Sequence, residues 1–569
     1  MTHGFGRTPA LGTLAAVFAA VAGTIMLAWQ WLGSPVAMPR SPFSRGEKIP
    51  CISYAPFRGS QNPFGADVPI DPGQIEQDLA QLKSITDCVR TYSVDHGLDR
   101  IAPIAQRHGM RLLQGVWLSS FPELNRKQIE TTLDLARRFP DTIAAIVVGN
   151  EVLLRGEMSP ADLADVIRQV KAQVPMPVTY ADVWEFWLRY GAISREVDFI
   201  TIHILPYWED TPMPSRSAAL HVEAIRRKVA AAFPGKDILI GEFGWPSAGR
   251  MRDGALPSLI DQAQAMHEVL AAGSRENYRI NLIEAYDQPW KRQLEGTVGG
   301  HWGLFDADRR LPKFAWGESV SNYPLWIWQA TAGICLAAVT LLLAFLRGRD
   351  CGARAQPVGR PRSAVPETSY LVKASRLAVA SKELHPVWLW GRVAVIAAIS
   401  GTFIGLTIAN VPLESLTLGD WLRSLAWAAV ALLSPVLGAA ALASATRVPA
   451  FVQVLAWKIE ARLDLAIGLV LMALAVLSLQ AALGLVFDPR YRDFPFAPLI
   501  GAVVPLLFLG QWRSRPQPPL AELIMGLVAL MAAAYVIWNE SLANWQACLF
   551  AVGLIALALI LFRARDAQS

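Results

Sequence analysis

The stretch Ile238-Leu-Ile-Gly-Glu-Phe-Gly-Trp-Pro-Ser247 joins a short apolar run to a carboxylate and then to a loop. The apolar run predicts a buried parallel strand, and the Gly, Trp and Pro that follow Glu242 end it. Glu242 is therefore expected at the carboxyl end of a strand, where barrel enzymes carry their catalytic side chains. The same pattern precedes Glu151 in Ile143-Ala-Ala-Ile-Val-Val-Gly-Asn-Glu151. Two strand-end glutamates indicate two carboxylates that face one pocket.

Strands and helices alternate around these two stretches through the middle of the chain. Short apolar runs predict strands, and segments with apolar residues at helical spacing separate them. The predicted strands cover residues 51–57, 88–93, 111–118, 142–148, 178–181, 199–204, 238–241 and 279–285. This number of units in about 300 residues predicts an α/β fold, the (β/α)8 TIM barrel. An open doubly wound sheet is the alternative, but the chain has no glycine-rich phosphate turn after its first strand, where Ser53-Tyr-Ala-Pro56 stands.

The apolar residues of the 569-residue chain concentrate at its N-terminus and beyond Pro324. The segment 11–32 is long enough to span a bilayer and holds no charge, which favours an uncleaved signal-anchor over a cleaved signal peptide. Together with this anchor, the later spans predict about eight transmembrane helices in an all-α, multi-span arrangement. Those later spans are 325–346, 387–409, 421–442, 465–487, 496–510, 520–538 and 545–562, of which 496–510 is short.

Lysine and arginine positions predict how these helices are oriented. On one side the connecting segments are basic, whereas the opposite segments 414–420 and 539–544 have no basic residue and 488–493 has two. The positive-inside rule then puts both termini in the cytoplasm and the barrel outside, which in a bacterium is the periplasmic side of the inner membrane. The basic residues are Arg347, Arg349, Arg354, Arg360, Arg362, Lys373, Arg376, Lys382, Arg447, Lys458, Arg462, Arg513, Arg515, Arg563 and Arg565.

These patterns predict six parts in the chain. Residues 1–33 form the signal-anchor helix, 34–48 a linker, 49–323 the barrel, 324–346 a transmembrane helix, 347–386 a basic cytoplasmic segment, and 387–563 a membrane domain of about six helices. The net charge is only +5, and no basic patch interleaved with aromatic residues occurs in the middle region, so no nucleic-acid partner is predicted.

The five cysteines show no metal-binding spacing, and the chain has no His-Glu-x-x-His, so neither a metal site nor another cofactor is predicted. Cys51 and Cys88 begin the first two predicted strands, which are neighbours in a parallel barrel. They are also the cysteines of the domain expected in the oxidising compartment. A disulfide is therefore predicted between them, with two free buried thiols as the alternative.

The two glutamates fit retaining glycoside hydrolysis. That reaction needs one carboxylic acid to protonate the leaving oxygen and one carboxylate to attack the anomeric carbon, about 5–5.5 Å apart. The fourth and seventh strands face each other across a barrel mouth, which suits such a pair. Asn150 is expected to bind a sugar hydroxyl, and Tyr207 to hydrogen-bond to the Glu242 carboxylate. The alternative is that both glutamates only cap loops, but their matching flanks favour catalysis.

Two motifs resemble those of glycoside hydrolase family 17, the family of β-1,3-glucanases and related transglucosylases. Val-Val-Gly-Asn-Glu151-Val resembles the acid/base motif, and Glu242-Phe-Gly-Trp-Pro-Ser247 resembles the nucleophile motif. The resemblance covers residues 49–316 and implies a TIM barrel whose acid/base is Glu151 and whose nucleophile is Glu242. Lesser landmarks are Tyr-Ala-Pro-Phe57, Pro206-Tyr207 and His301-Trp-Gly-Leu-Phe305.

The chain departs from the family at Phe243, where eukaryotic members often have Thr or Ser. The combination of this barrel with membrane spans resembles bacterial proteins of cyclic or branched β-(1,3)/(1,6)-glucan synthesis, including β-(1,6)-glucan synthases. The resemblance implies β-glucan as the substrate, the lipid bilayer as surroundings and a glucan synthase as a further partner.

Side chains near the other strand ends are the predicted substrate-binding residues. Aromatic faces stack on sugar rings, although about half of the aromatic residues here are expected to serve loop packing. Arg90 is expected to keep Glu242 ionised, and Glu284 to bind substrate or pair with Lys291. His203 is equally well explained as a hydrogen-bonded core residue. The predicted set is Tyr54, Arg90, Tyr92, Asn150, Trp184, His203, Tyr207, Trp245, Glu284 and Trp290.

The favoured function is a retaining enzyme that cleaves or transfers β-1,3-linked glucosyl chains. A plain endo-β-1,3-glucanase is one alternative. Another is a membrane export component in which the barrel only binds glucan, but few charged residues lie inside the spans, whereas transport paths usually carry them. Asp306-Ala-Asp308 has the form of a sugar-nucleotide site, but its surroundings are better interpreted as a turn.

Overall fold

A computed structural model describes residues 9–65, 69–309, 311–354, 386–444, 453–509 and 519–563. Residue contacts divide the chain into two compact units. One contains Pro35–Asn322 together with Arg490–Asp493, and the other contains Met1–Ser34, Tyr323–Pro489 and Phe494–Ser569. Part of the predicted basic set lies outside the described residues, namely Arg360, Arg362, Lys373, Arg376, Lys382, Arg447, Arg513, Arg515 and Arg565.

The first unit is a closed barrel of eight parallel strands, so the predicted TIM barrel is confirmed. Each strand pairs with the next one along the chain, and the last strand pairs with the first through Leu282 and Ile52. The strands are β1 (Ile52–Ser53), β2 (Cys88–Arg90), β3 (Arg111–Val116), β4 (Ile143–Asn150), β5 (Val178–Val183), β6 (Ile200–His203), β7 (Ile238–Phe243) and β8 (Arg279–Leu282).

Helices follow the strands, and local sequence fixes where several of them begin. Ser159 and Ser258 cap their helices by accepting hydrogen bonds from the backbone N–H three residues on. Asp71 caps in the same way with the N–H of Gly73. The helices of this unit are Pro72–Lys83, Ile101–Arg107, Pro122–Arg138, Pro160–Lys171, Trp184–Arg189, Ala218–Ala232, Leu259–Glu276 and Arg292–Gly299.

The inside of the barrel carries polar as well as apolar side chains. Thr179 and Thr201 hydrogen-bond through their hydroxyl groups at 2.9 Å, and the Asn281 amide donates to the Ser53 hydroxyl at 2.8 Å. A Cβ at Gly241 would overlap the Thr201 side chain, so glycine is required at this point of β7. These small groups leave room at the centre of the barrel for the larger side chains of the site above them.

The second unit is helical. Seven of its described helices are long and apolar enough to cross a membrane, and Phe496–Phe508 is a shorter apolar helix. Close packing is visible where Gly333 and Gly401 meet, since a Cβ at either position would overlap backbone of the other helix. The helices are Leu11–Leu32, Trp326–Arg354, Pro386–Glu414, Leu418–Ser444, Gln453–Phe487, Phe496–Phe508, Leu520–Glu540 and Trp545–Phe562.

A disulfide joins Cys51 to Cys88, whose Cα atoms are 4.5 Å apart. The link connects the starts of β1 and β2 and closes a sequence separation of 37 residues. In the chain-entropy account, a loop of this size gives about 4 kcal/mol of stabilisation, because it restricts the unfolded chain.

We expect thiol labelling of the denatured, unreduced chain to modify Cys335, Cys351 and Cys548, and labelling after reduction to add Cys51 and Cys88. Mass spectrometry of the labelled peptides measures this directly. The variant C51S provides the control, because it should make Cys88 reactive without reduction. Labelling of both Cys51 and Cys88 in the unreduced wild type would contradict the bond.

Candidate active site

The barrel brings Glu151 and Glu242 together at the carboxyl ends of its strands. Glu242 is the second-last residue of β7, and Glu151 directly follows β4. An oxygen of each carboxylate and a ring nitrogen of His203 all lie within 4.8 Å of one another. Glu242 is 4% exposed, whereas the Glu151 side chain is 22% exposed. The separation matches the short spacing that retaining glycosidases use.

The Arg90 side chain is bonded to Glu242 and to Asn150, the neighbour of Glu151. Its guanidinium is buried and donates to the Gly241 carbonyl at 2.7 Å, to Glu242 Oε1 at 3.1 Å and to Asn150 Oδ1 at 2.6 Å. One side chain on β2 is thus bonded to β4 and β7, the two strands that carry the glutamates. The guanidinium therefore places a positive charge beside the Glu242 carboxylate, 3.1 Å from its Oε1.

His203, at the end of β6, lies between the two glutamates. Its Nδ1 is 2.7 Å from Glu151 Oε1, and its Nε2 is 3.4 Å from an Arg90 nitrogen and 3.6 Å from Glu242 Oε1. Because a guanidinium only donates, Nε2 is the acceptor, and Nδ1 therefore carries the hydrogen that is donated to Glu151. The imidazole orients the Glu151 carboxylate by this bond.

Tyr92, rather than Tyr207, is the tyrosine that hydrogen-bonds to Glu242. The Tyr92 hydroxyl donates to Glu242 Oε1 at 2.9 Å, and its ring lies 4.9 Å from the Arg90 guanidinium carbon. Tyr207 is buried, and its hydroxyl donates to the Arg250 carbonyl at 2.8 Å. The expectation for Tyr207 was wrong because the bulky Trp208 and Trp302 surround its ring, which leaves the hydroxyl directed at the loop after β7.

Asn150 is held so that the NH2 group of its side-chain amide faces away from Arg90. Its Oδ1 accepts from Arg90, so the NH2 group is the end that remains for a ligand. The structure gives that NH2 group no partner among the residues it describes. Two hydrogen-bond donors beside the acid/base position suit the hydroxyl groups of a sugar.

Glu284 and Lys291 form a buried ion pair through Glu284 Oε1. Glu284 Oε2 is buried and has no hydrogen-bond partner within the described part of the chain. Burial raises the pKa of Glu284 to about 7, although the charge of Lys291 acts in the opposite direction. A buried acceptor without a partner is costly, and a ligand hydroxyl would relieve that cost.

The aromatic members of the predicted substrate-binding set differ in their placement. Tyr54 and Trp245 are buried, and each is bonded within the protein, to Asp78 and to the Leu256 carbonyl. The structure therefore does not bring these two, or Tyr207, together with the catalytic pair. Trp184 is the first residue of the helix Trp184–Arg189 after β5, and Trp290 lies in the 3-10 helix Pro289–Lys291 after β8; both are half-buried.

No role was predicted for Asp182 and Tyr180 on β5, which support the loop that carries Glu151. Tyr180 donates its hydroxyl hydrogen to Asp182 and accepts from the Leu153 N–H at 3.1 Å. Burial raises the pKa of Asp182 to about 6, and the negative charge of Glu151 contributes to the increase. Asp182 stands one residue before the end of its strand, so the strand-end pattern used for the two glutamates could have found it.

The backbone at Glu151 adopts a conformation that few residues other than glycine take. Glu151 has φ +53° and Gly149 has φ +88°. The Glu151 N–H is nevertheless held by the Ala181 carbonyl at 2.8 Å, so the neighbouring strand fixes this shape. Such strained residues cluster at active sites, where the surrounding structure stabilises them.

The pKa of Glu151 results from opposing effects. Burial raises it, but the hydrogen bond from His203 and the positive charges of Arg90 and Arg155 lower it, and the net pKa lies below the usual glutamate value. The carboxyl is thus biased toward its ionised form in the free enzyme.

Glu151, His203 and Glu242 also have the donor types of a metal site. However, Arg90 already places a positive charge on Glu242 Oε1 at 3.1 Å, and a cation between the carboxylates would be repelled by it. The arrangement fits acid–base and nucleophilic chemistry better than metal ligation.

Comparisons with known proteins agree with this geometry. The family model described as "BtgE/BtgC glycoside hydrolase domain" matches residues 51–303. The chain is 25% identical over 264 residues to a glucan 1,3-beta-glucosidase of Candida albicans, covering 42% of this chain and 85% of that protein. It is 29% identical over 268 residues to a glucan 1,3-beta-glucosidase of Arthroderma benhamiae, covering 43% and 84%.

A glycoside hydrolase family 17 β-1,3-glucanosyltransferase from Rhizomucor miehei, whose crystal structure is known, is 26% identical, with a TM-score of 0.41 over 46% of this chain and 94% of that chain. The match to the family model covers the whole series of barrel strands and both glutamate motifs. The barrel is therefore similar to the BtgE/BtgC glycoside hydrolase domain, and the chain is a glycosidase or transglycosylase.

We expect E151Q and E242Q each to lower turnover roughly 10³-fold or more, because each removes a proton transfer or a nucleophilic attack. E130Q, on an exposed helix of the barrel, is the matched control and should keep wild-type turnover. Near-normal turnover in E151Q or E242Q would contradict the assignment.

Azide with an activated aryl glycoside then separates the two roles. In E151A azide should attack the glycosyl-enzyme and give a product of retained configuration. In E242A it should attack the substrate directly and give the inverted product. NMR of the glycosyl azides measures the configuration, and the opposite pattern would exchange the two roles.

We also expect H203F to move the basic limb of the pH–kcat profile to higher pH. The wild-type His203 bond lowers the pKa of Glu151, and its loss lets the acid stay protonated at higher pH. H108F is the control, because His108 also bonds to a glutamate, Glu76, but at the opposite end of the barrel strands. An unchanged or lowered basic limb in H203F would contradict the role given to His203.

Proposed function

We propose that this chain is a retaining β-glucan-active enzyme that cleaves and transfers β-1,3-linked glucosyl chains outside the membrane. The observation that carries the proposal is the pair Glu151 and Glu242, whose oxygens lie within 4.8 Å at the carboxyl ends of β4 and β7. The β-1,3 linkage rests on the glucan 1,3-beta-glucosidases to which the barrel is similar.

In the first step, Glu242 attacks the anomeric carbon while Glu151 gives its proton to the leaving oxygen. The bonds from Arg90 and Tyr92 both end on Glu242 Oε1, so Oε2 is the oxygen left to form the ester. The bond between the anomeric carbon and the glycosidic oxygen breaks, and the leaving sugar carries the Glu151 proton away.

In the second step, Glu151 acts as a base. It removes a proton from the acceptor hydroxyl, which attacks the anomeric carbon and releases Glu242. Because the acceptor can be water or a sugar hydroxyl, the same site supports hydrolysis and transfer. The partial exposure of Glu151 gives either acceptor access to it.

Substrate binding is assigned to polar groups that have no hydrogen-bond partner among the described residues. Asn150 NH2 and Glu284 Oε2 provide a donor and an acceptor for sugar hydroxyls. The half-buried rings of Trp184 and Trp290 provide surfaces on which sugar rings can stack.

Location outside a bacterial inner membrane is part of the proposal. The distribution of basic residues supports it, as does the number of spans between the barrel and Arg490–Asp493. Among the described residues, four long apolar helices separate the two along the chain, and an even number of crossings returns the chain to the side it left. The grouping of Arg490–Asp493 with the barrel agrees with this topology.

Fixed in a membrane, a glucosyl-transferring enzyme acts where new polymer emerges, and a glucan synthase is the partner that would supply it. The two alternatives are a plain endo-β-1,3-glucanase and an export component that binds glucan. E242Q distinguishes the last, because an export component would keep its function without the nucleophile.

We expect the purified chain, incubated with a β-1,3-oligosaccharide at high concentration, to form products longer than the substrate or branched. A covalent glycosyl-enzyme on Glu242 is open to a sugar acceptor, and high concentration favours the sugar over water. Mass spectrometry and linkage analysis of the products measure this, with E242Q as the inactive control. Shorter products alone, with one new reducing end for every cleavage, would contradict transfer.

A further inference from the structure

The four residues Arg490–Asp493 lie in sequence between two apolar helices, but their contacts group them with the barrel. Arg490 donates to the Trp208 carbonyl at 3.0 Å, Arg250 donates to the Arg492 carbonyl at 3.2 Å, and Thr297 donates to Asp493 Oδ2 at 2.7 Å. Trp208 and Arg250 belong to the loops that follow β6 and β7, and Thr297 belongs to the helix Arg292–Gly299 that follows β8. Since the catalytic residues also stand at the carboxyl ends of strands, Arg490–Asp493 lies on the catalytic face of the barrel.

Gly296 of the barrel allows the close approach of this segment. Gly296 has φ +70°, and a Cβ there would overlap the Tyr491 carbonyl oxygen. Glycine is thus required both by the backbone conformation and by the close approach of Tyr491. Hydrogen bonds to the barrel hold both ends of the segment. Between them, the backbone of Tyr491 packs against the backbone of Gly296.

Arg490 and Tyr491 extend an aromatic surface beside the cleft. Trp208 stacks on Trp302 with ring centroids 6.3 Å apart and an interplanar angle of 17°. Tyr491 packs edge-on against Trp208 at 5.7 Å, and the Arg490 guanidinium carbon lies 5.3 Å from the Trp208 ring. Aromatic rings flanked by polar groups are the usual construction of a carbohydrate subsite.

Hydrogen-bonding groups of both residues are available to a ligand. One N–H of Arg490 donates to Trp208, and its other N–H groups have no partner in the described segments of the chain. The Tyr491 hydroxyl likewise has no hydrogen-bond partner there. Arg490 is exposed and Tyr491 is half-buried, so both groups can reach a sugar hydroxyl.

Electrostatics connect this surface with the catalytic pair. Burial raises the pKa of Glu295. The positive charges of Lys291 and Arg490 lower that pKa, and the negative charges of Glu151 and Glu242 raise it. Glu295 therefore lies within the field of both catalytic carboxylates and of Arg490. This agrees with the placement of Arg490 along the same cleft.

We propose that Arg490–Asp493 forms a carbohydrate subsite at the rim of the cleft, where Arg490 and Tyr491 bind hydroxyl groups of a glucosyl unit beyond those at the scissile bond. The inference rests on the proposed function. In this proposal, the segment between two apolar helices determines which substrate lengths are preferred. Only a glucan long enough to pass Trp208 reaches the segment.

The test is the length dependence of kcat/KM for β-1,3-gluco-oligosaccharides, measured on the full chain in detergent. In R490A and Y491A the shortest cleaved substrate should react as in the wild type, and long substrates should lose roughly tenfold, mainly through KM. R490K should recover part of the loss, because it keeps the charge without the planar fork. R423A is the matched control, since Arg423 also lies near a predicted outer segment of the membrane region but pairs with Asp420.

The possible outcomes distinguish the proposed subsite from the proposed function. Equal kcat/KM in the variants and the wild type at every length would overturn the subsite alone. A loss that is the same at every length would also overturn it, because it would indicate that the segment only supports the fold. A wild type that does not cleave any β-1,3-oligosaccharide would overturn the proposed function and this inference together.

Discussion

The buried guanidinium of Arg90 is the group on which the rest of the site depends. It is bonded to the Gly241 carbonyl, to Glu242 and to Asn150, and so joins β2 to β4 and β7 at the centre of the barrel. A buried cation is stable only when it is paired and its donors are satisfied, and removal of one partner of such a pair typically costs about 3–5 kcal/mol. The interaction that solvates most of this charge therefore also fixes Glu242 and Asn150, the neighbour of Glu151, while Arg90 Nε has no hydrogen-bond partner among the described residues.

The same charge also gives the two carboxylates different roles. Glu242 lies against Arg90 and Tyr92 and is almost fully buried, which suits the role of nucleophile proposed for it. Glu151 is more open to solvent and is bonded to His203. In the proposed mechanism, formation of the ester removes a negative charge from beside Glu151. Loss of that charge favours the proposed change of Glu151 from acid to base.

Much of this site could be predicted from sequence because it follows from strand ends. A strand-end residue is recognised by an apolar run and a break, and this pattern found Glu151, Glu242, Arg90 and His203. Which tyrosine reaches Glu242 could not be predicted in this way. The register of the pairing between β6 and β7 shifts between Ile202 and His203. Such a shift changes which side chains meet across the barrel, and no local sequence pattern predicts it.

The contact of Arg490–Asp493 with the barrel is harder still to foresee, because it joins residues that are far apart in the chain. Its one local sign is charge. Arg490 and Arg492 stand in a segment that was predicted to lie outside, where the positive-inside rule expects few basic residues. The bond from the Arg490 side chain to the Trp208 carbonyl explains why an arginine stands at position 490, whereas Arg250 bonds to the backbone carbonyl of Arg492.

Glu284 Oε2, which has no hydrogen-bond partner among the described residues, suggests how the proposed site would select its ligand. Burial without a partner leaves Glu284 Oε2 with a desolvation cost of about 1–3 kcal/mol, which the free enzyme bears. A ligand with a hydroxyl at that point removes the cost, whereas an analogue without it leaves the acceptor buried and unbonded. Discrimination of this kind is stronger than a hydrophobic pocket can achieve, because it penalises the wrong ligand as well as favouring the right one. The raised pKa of Glu284 adds to this, because a protonated carboxyl also offers a donor, so the pair with Lys291 sets whether the site accepts from or donates to the sugar.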